Sequence, residues 1–188
     1  MHINESLSEA QLHQIASEVQ LLLMDVDGVM TDGRLFLLPD AQGNMVETKG
    51  FDSQDGIALQ WMNWNQIKTG VISGRNSPAT AERARQVKMA YVYQGHIEKI
   101  PILETILADS KLSREQVAYV GDDLTDVVIM RRVGLAIATA NAREEVKRSA
   151  HAVTKAPGGS GAIREVCELI LKARGAWEGL LQKYEVAL

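Results

Sequence analysis

Leu21-Leu22-Leu23-Met24-Asp25-Val26-Asp27-Gly28 is the stretch that decides how this chain folds. Four consecutive apolar residues are too few for a buried helix and suit a strand covered on both faces. The acids and glycine behind them stop the strand and place carboxylates at its carboxyl end. The same shape recurs at residues 69–72, which run into Ser73-Gly74-Arg75, and at 117–120, which run into Gly121-Asp122-Asp123. Further strands are expected at 90–93, 135–138 and 152–154. Helical stretches separate them at 56–65, 78–87, 97–110, 124–133, 143–150 and 162–174. This alternation predicts an α/β fold with a doubly wound parallel sheet. Residues 34–38 and 45–49 flank the turn-rich Asp40-Ala41-Gln42-Gly43-Asn44 and predict an inserted β-hairpin. Ser6-Leu7-Ser8-Glu9 reads as a capping box that opens a short helix through Val19. Residues 175–188 form a tail.

Composition bounds the class. The 188 residues are 46% apolar and 23% charged, as in an ordinary globular protein, and predict one domain over 1–188. A chain of this length buries roughly 70% of its unfolded surface. Twenty basic and 24 acidic residues leave a net charge of -4, which offers no general attraction to nucleic acid or an anionic membrane. Cys167 is the only cysteine, so no intrachain disulfide forms, and its apolar surroundings predict a buried, inert thiol. Residues 1–20 lack the basic and apolar regions of a signal peptide, and apolar runs such as 21–24 are far short of a membrane span. A cytoplasmic setting is the expectation.

Ligands of doubly wound sheets lie beyond the carboxyl ends of the strands. Those ends carry Asp25 and Asp27, then Ser73, then Asp122, Asp123 and Asp126, with Lys99 behind the third strand. Crowded carboxylates repel unless a cation intervenes, and an oxygen-rich site of this kind suits Mg²⁺. Ser73 offers a hydroxyl donor and Lys99 a compact positive charge for phosphoryl oxygens. Elsewhere, Trp61, Met62 and Trp64 read as packing residues rather than a binding platform. The glycines of 158–161 suit either an anion cradle or a tight turn before a helix. Asp32 reads as a turn former, and His96 as a loop histidine.

Asp25-Val26-Asp27-Gly28-Val29-Met30-Thr31-Asp32-Gly33, Ile72-Ser73-Gly74-Arg75, Lys99, and Gly121-Asp122-Asp123-Leu124-Thr125-Asp126 together resemble the haloacid dehalogenase superfamily of phosphatases, whose fold is Rossmann-like. Tyr93-Gln94-Gly95, residues 117–123 and residues 158–167 narrow the resemblance to its capless, tetrameric 3-deoxy-D-manno-octulosonate 8-phosphate phosphatases. The resemblance covers roughly residues 20–174. It implies Asp25 as a nucleophile forming an aspartyl phosphate, and Asp27 as general acid and base. It implies Mg²⁺ held by Asp25, Asp122 and the Asp27 carbonyl, with Asp126 and Asp123 supporting the metal shell. Ser73 and Lys99 would bind the phosphoryl group. Arg75, Lys49 and Asp55 are candidates for contacting a small phosphorylated sugar acid. The chain departs from the pattern at Asp52 and Gln54, where many relatives carry an Asn or His and a basic residue.

Three other readings have distinct signatures. A receiver-type phosphoacceptor also clusters aspartates, but places its acidic pair after the first strand and its acceptor after the third. An inactive assembly module would not need both Asp25 and Asp27. A related phosphatase would act on another sugar-acid phosphate, such as 2-keto-3-deoxynononate 9-phosphate. Motif spacing leaves no room for a cap domain between Gly33 and Ser73 or between Lys99 and Gly121. The resemblance therefore implies a homotetramer whose hairpins meet and whose neighbours cover each site. The tail, outside the resemblance, is a candidate to reach a neighbouring crevice.

Overall fold

The computed structural model describes residues 1–5 and 7–186. In chain order its main elements are β1 (His2–Ile3), α1 (Glu9–Ser17), β2 (Leu21–Met24), β3 (Phe36–Pro39), β4 (Met45–Thr48), α2 (Ser53–Trp64) and β5 (Lys68–Ile72). They continue with α3 (Pro78–Gln86), β6 (Tyr91–Tyr93), α4 (Ile100–Ser110), β7 (Val117–Gly121), α5 (Leu124–Met130), β8 (Leu135–Ala138), α6 (Glu144–Arg148), β9 (Ala152–Val153), α7 (Ala162–Ala173) and α8 (Trp177–Lys183).

Among the described residues the main sheet has the order β1-β9-β8-β7-β2-β5-β6. All neighbours are parallel except β1, which pairs antiparallel with β9. From β2 the chain winds outward through β5 and β6, then returns to β7 on the other side of β2. The reversal between β2 and β7 is the topological switch point, where such sheets open a crevice. In register, Leu22 pairs with both Thr69 and Ala118, and Met24 with Val71 and Val120. Residues 21–24 are fully buried, as an apolar run between two helical layers requires.

One face of the sheet packs Leu12 of α1, Leu59 and Met62 of α2, and Ile163, Val166 and Ile170 of α7. The other packs Leu103 and Ile106 of α4, Ile129 of α5 and Val146 of α6. The hairpin forms as expected, with Leu37 opposite Glu47. Its apolar residues stay in solvent: Leu38 is 58% and Met45 66% exposed.

Several boundaries differ from the sequence expectation. The first helix is capped by Ser8, whose Oγ accepts from Gln11 N–H (3.2 Å) while Ser8 N–H donates to Gln11 (2.8 Å). Ser6, expected to open that cap, lies outside the described residues. The polar lead also supplies β1, too short for periodicity to reveal. Helix α2 begins at Ser53 rather than 56, because the Asp52 carboxylate accepts from Gln54 and Asp55 N–H (2.7 and 3.0 Å).

The tail holds a further helix: its described part folds back as α8 on the same chain. Trp61 sits 5.9 Å from both the Trp177 and Tyr184 rings, and its Nε1–H donates to the Tyr184 hydroxyl (3.1 Å). The Arg164 guanidinium lies 4.0 Å above the Trp61 ring, so Trp61 is a packing residue. Trp64 stays half exposed beneath Lys183. Cys167 is buried, and burial holds its thiol well above its ordinary range. Among the described residues no helix is long and apolar enough to cross a membrane.

Candidate active site

The switch point brings Asp25, Asp27, Ser73, Lys99 and Asp122 to the lining of one crevice of about 400 Å³. Asp25 follows β2 directly, its N–H donating to Val120 O of β7 (3.0 Å). The chain then turns tightly, with Val29, Met30 and Thr31 N–H all donating to Val26 O. Gly28 makes the turn at φ +83°, and a Cβ there would collide with the Asp122 carboxylate. Glycine is required on both counts.

Lys99 is the buried hub. Its Nζ lies 3.1 Å from Asp25 Oδ2 and 2.6 Å from Asp126 Oδ1, with its side chain 1% exposed. Burial alone would lower the Lys99 pKa, but Asp126 and Asp25 outweigh it and the net shift is upward. The Tyr119 hydroxyl also donates to Asp126 Oδ1 (2.8 Å), and the Asp122 and Asp123 N–H groups donate to Asp126 Oδ2 (3.0 and 3.2 Å). Asp126 is thus a fully satisfied internal anion. It holds Lys99 on one side and the backbone of Asp122 on the other.

The remaining carboxylates are held differently. Burial pushes Asp25 up to about 6; Lys99 opposes the rise and Asp126 adds to it. Burial followed by repulsion from Asp126 and Asp25 pushes Asp122 up to about 8. Asp122 Oδ1 is buried with no hydrogen-bond partner. One ligand atom from each of Asp25, Asp122 and Asp126 lies within 4.8 Å of the others. Each Asp126 oxygen already takes two donors, whereas each Asp25 oxygen has one (Val26 N–H on Oδ1, 2.7 Å; Lys99 Nζ near Oδ2, 3.1 Å), so Asp25 and Asp122 keep lone pairs for a cation. The unpartnered Asp122 oxygen and the mutual repulsion fit a hard divalent ion.

Other sequence candidates fall in different places. Asp123 also lines the crevice; it is exposed and caps α5, with Leu124 N–H donating to its Oδ1 (2.7 Å). Arg75 lines the crevice, 49% exposed, and is paired to Glu47 (2.8 Å). Lys49 does not line it: its ammonium is buried between Asp27 and Glu47. Asp55 accepts from Arg164 N–H (2.7 Å) and caps the start of α7, which has no side-chain cap of its own. Burial pushes its carboxyl up to about 6. The structure therefore places Asp55 under α7 and outside the crevice lining, apart from the other candidates for substrate contact.

Asp32 accepts from Arg34 N–H (2.9 Å), as a turn former does. His96 is exposed and stacks edgewise near Tyr93 rather than lining the crevice. The glycine loop is a packing turn: Gly159 N–H donates to Val29 O (3.1 Å), and a Cβ at Gly158 would strike Gly28 O. Sequence reading missed Asn141, which lines the crevice and ties Gly28 O (3.0 Å) to Gly158 N–H (2.6 Å). Its signal was its place just beyond a strand end, after 135–138. Glu47 and Tyr119 gave no such signal, being strand residues whose partners come from other elements.

Comparison with known proteins accords with this geometry. A haloacid dehalogenase-like hydrolase family matches residues 57–164. The 3-deoxy-D-manno-octulosonate 8-phosphate phosphatase KdsC of Yersinia pestis is 40% identical over 166 residues, covering 88% of this chain and 87% of the relative. The KdsC of Escherichia coli K12 is 36% identical over 160 residues, covering 85% and 83%. The crystal structure of 3-deoxy-D-manno-octulosonate 8-phosphate phosphatase from Moraxella catarrhalis, in complex with magnesium, phosphate and KDO, superposes with a TM-score of 0.88 at 33% identity, covering 94% and 99%. Motif order, crevice and full-length relatives agree: the chain belongs to the haloacid dehalogenase-like hydrolases.

Proposed function

We propose that this chain is a magnesium-dependent phosphatase that hydrolyses 3-deoxy-D-manno-octulosonate 8-phosphate through an aspartyl phosphate on Asp25. The observation that carries the reading is the division of labour between two acids in one turn. Asp25 is paired with buried Lys99 beside Asp122, while Asp27 faces its own cations two residues on. A phosphoacceptor that only stores a phosphoryl group does not need the second acid.

In this mechanism a carboxylate oxygen of Asp25 attacks phosphorus, and the sugar oxygen leaves with a proton from Asp27. Asp27 then takes a proton from the water that opens the acyl phosphate. Ser73 and Lys99 bind the phosphoryl oxygens. Asp25, Asp122 and the Asp27 carbonyl would hold magnesium, with Asp126 supporting them. When bound, the ion offsets charge that builds on the phosphoryl oxygens. Arg75, a half-exposed cation on the rim, is suited to the carboxylate of a sugar acid.

We also infer a cytoplasmic homotetramer. The exposed apolar hairpin needs cover, and further copies of the same hairpin supply it. Light scattering is expected to give about four times the 20.6 kDa chain mass; an active monomer rejects shared sites.

Phosphate release from a panel of phosphorylated sugars tests the substrate. The eight-carbon sugar acid is expected to lead, and a preference for hexose phosphates defeats the assignment. Asp25→Asn is expected to cut turnover by at least roughly a thousandfold with circular dichroism unchanged; substantial residual turnover rejects Asp25 as the nucleophile.

A further inference from the structure

Strand β4 carries Glu47, and Lys49 follows directly behind its end, in a hairpin whose large apolar residues are exposed. Glu47 and Lys49 are two apart, so a strand puts them on one face, and that face turns inward. The Lys49 side chain is 1% exposed, and its ammonium bonds Asp27 Oδ1 and lies 3.1 Å from Glu47 Oε1. Glu47 Oε2 accepts from Arg75 Nη2 (2.8 Å), and Arg75 Nε lies 3.9 Å from Asp27 Oδ2. Asp27, Lys49, Glu47 and Arg75 thus close a ring of alternating charge, with members from the loop after β2, the hairpin and the loop after β5.

We propose that Glu47 and Lys49 are positioning residues that fix the carboxyl of Asp27 for proton transfer. The inference rests on the assignment of proton transfer to Asp27. Asp27 sits on a loop, and its carboxyl would turn freely without a partner. With Oδ1 taken by Lys49, Oδ2 stays on the Arg75 side, where the crevice lies. Glu47 holds Lys49 and Arg75 together, so one carboxylate sets the direction of both cations. Lys49 lies outside the crevice lining, so substrate does not explain its burial. Proton transfer depends steeply on such geometry.

Leaving-group chemistry tests the proposal. p-Nitrophenolate departs without a proton, whereas the alkoxide of 3-deoxy-D-manno-octulosonate 8-phosphate needs one. Single-turnover rates on both substrates are measured for the full chain and for Asp27→Asn, Lys49→Met and Glu47→Gln. Lys49→Met is expected to slow the sugar phosphate roughly 10- to 100-fold and Glu47→Gln about 3- to 10-fold, as fractions of a full acid-base contribution. Bursts on p-nitrophenyl phosphate are expected to stay within about threefold, as for Asp27→Asn. Equal loss on both substrates, or no loss, in the two hairpin variants while Asp27→Asn remains selective overturns the positioning role. An unselective Asp27→Asn overturns the assignment of Asp27 beneath it. Should Lys49→Met fail to fold, the isosteric Glu47→Gln decides.

Discussion

Asp122→Asn is expected to stabilise the metal-free protein at pH 8 and to remove the stabilisation conferred by magnesium. The Asp122 carboxyl is raised from 3.8 to about 8, by burial first and then by Asp126 and Asp25. A group whose folded pKa is raised keeps a proton that the unfolded chain has lost. Stability therefore falls as pH rises from the unfolded value through about 8. At about 1.4 kcal/mol per unit the shift corresponds to roughly 6 kcal/mol, and halving it for residual solvent access leaves about 3 kcal/mol at pH 8. At pH 5.5 the same reasoning leaves about 1 kcal/mol. An amide cannot ionise, so the variant escapes this cost. For a chain of this size 3 kcal/mol is worth roughly 5–10 °C of melting temperature. Thermal unfolding followed by circular dichroism in EDTA, at both pH values, reads the difference. Saturating magnesium is expected to raise only the parent protein, by about 3 kcal/mol at a hundred times Kd, and so to cancel the variant's advantage. A variant less stable than its parent in EDTA at pH 8 would show that the carboxylate is a net stabiliser. Equal magnesium stabilisation of both proteins would place the ion elsewhere.

Two further substitutions separate structure from chemistry. Lys99→Met strands the Asp25 and Asp126 carboxylates without their shared cation, and a loss of roughly 3–5 kcal/mol is expected in urea unfolding; an unchanged midpoint would contradict the buried hub. Asp55→Ala removes the cap on α7 and is expected to cost about 1–2 kcal/mol while leaving kcat and KM within about twofold. Asp55→Asn keeps the acceptor for Arg164 N–H and is expected to regain that stability. A large KM increase in either variant would return Asp55 to the substrate site.

The strand-end acids were legible because each strand of a parallel sheet ends at the same edge. Once 21–24 and 117–120 were read as buried strands, Asp25 and Asp122 fell on one edge of the sheet, and the structure makes them meet by setting these strands side by side. Lys99 was placed in the cluster for the same reason, although its helix starts one residue later, at Ile100. Helix α8 did leave a signal, since Trp177, Leu180, Leu181 and Tyr184 recur at i, i+3, i+4 and i+7; its docking on Trp61 was not legible, because that contact joins segments more than a hundred residues apart. Nor was the role of Asp126 beyond a supporting carboxylate, since its four donors come from β7, the loop between β7 and α5, and the residue ahead of α4.

The order of apolar runs and acids along the chain determined the fold class and the acids at the switch point. Both follow from local rules: what a buried strand must be made of, and where such strands end. Tertiary structure alone decided which of those acids are free. It spent Asp123 on a helix cap, Asp55 on the start of α7, and Asp126 on Lys99 and Tyr119. It left Asp25 and Asp122 to face each other and turned Glu47 and Lys49 inward onto Asp27. A carboxylate looks the same in any sequence. Its charge, its pKa and its task depend on which donors the packing brings within about 3 Å.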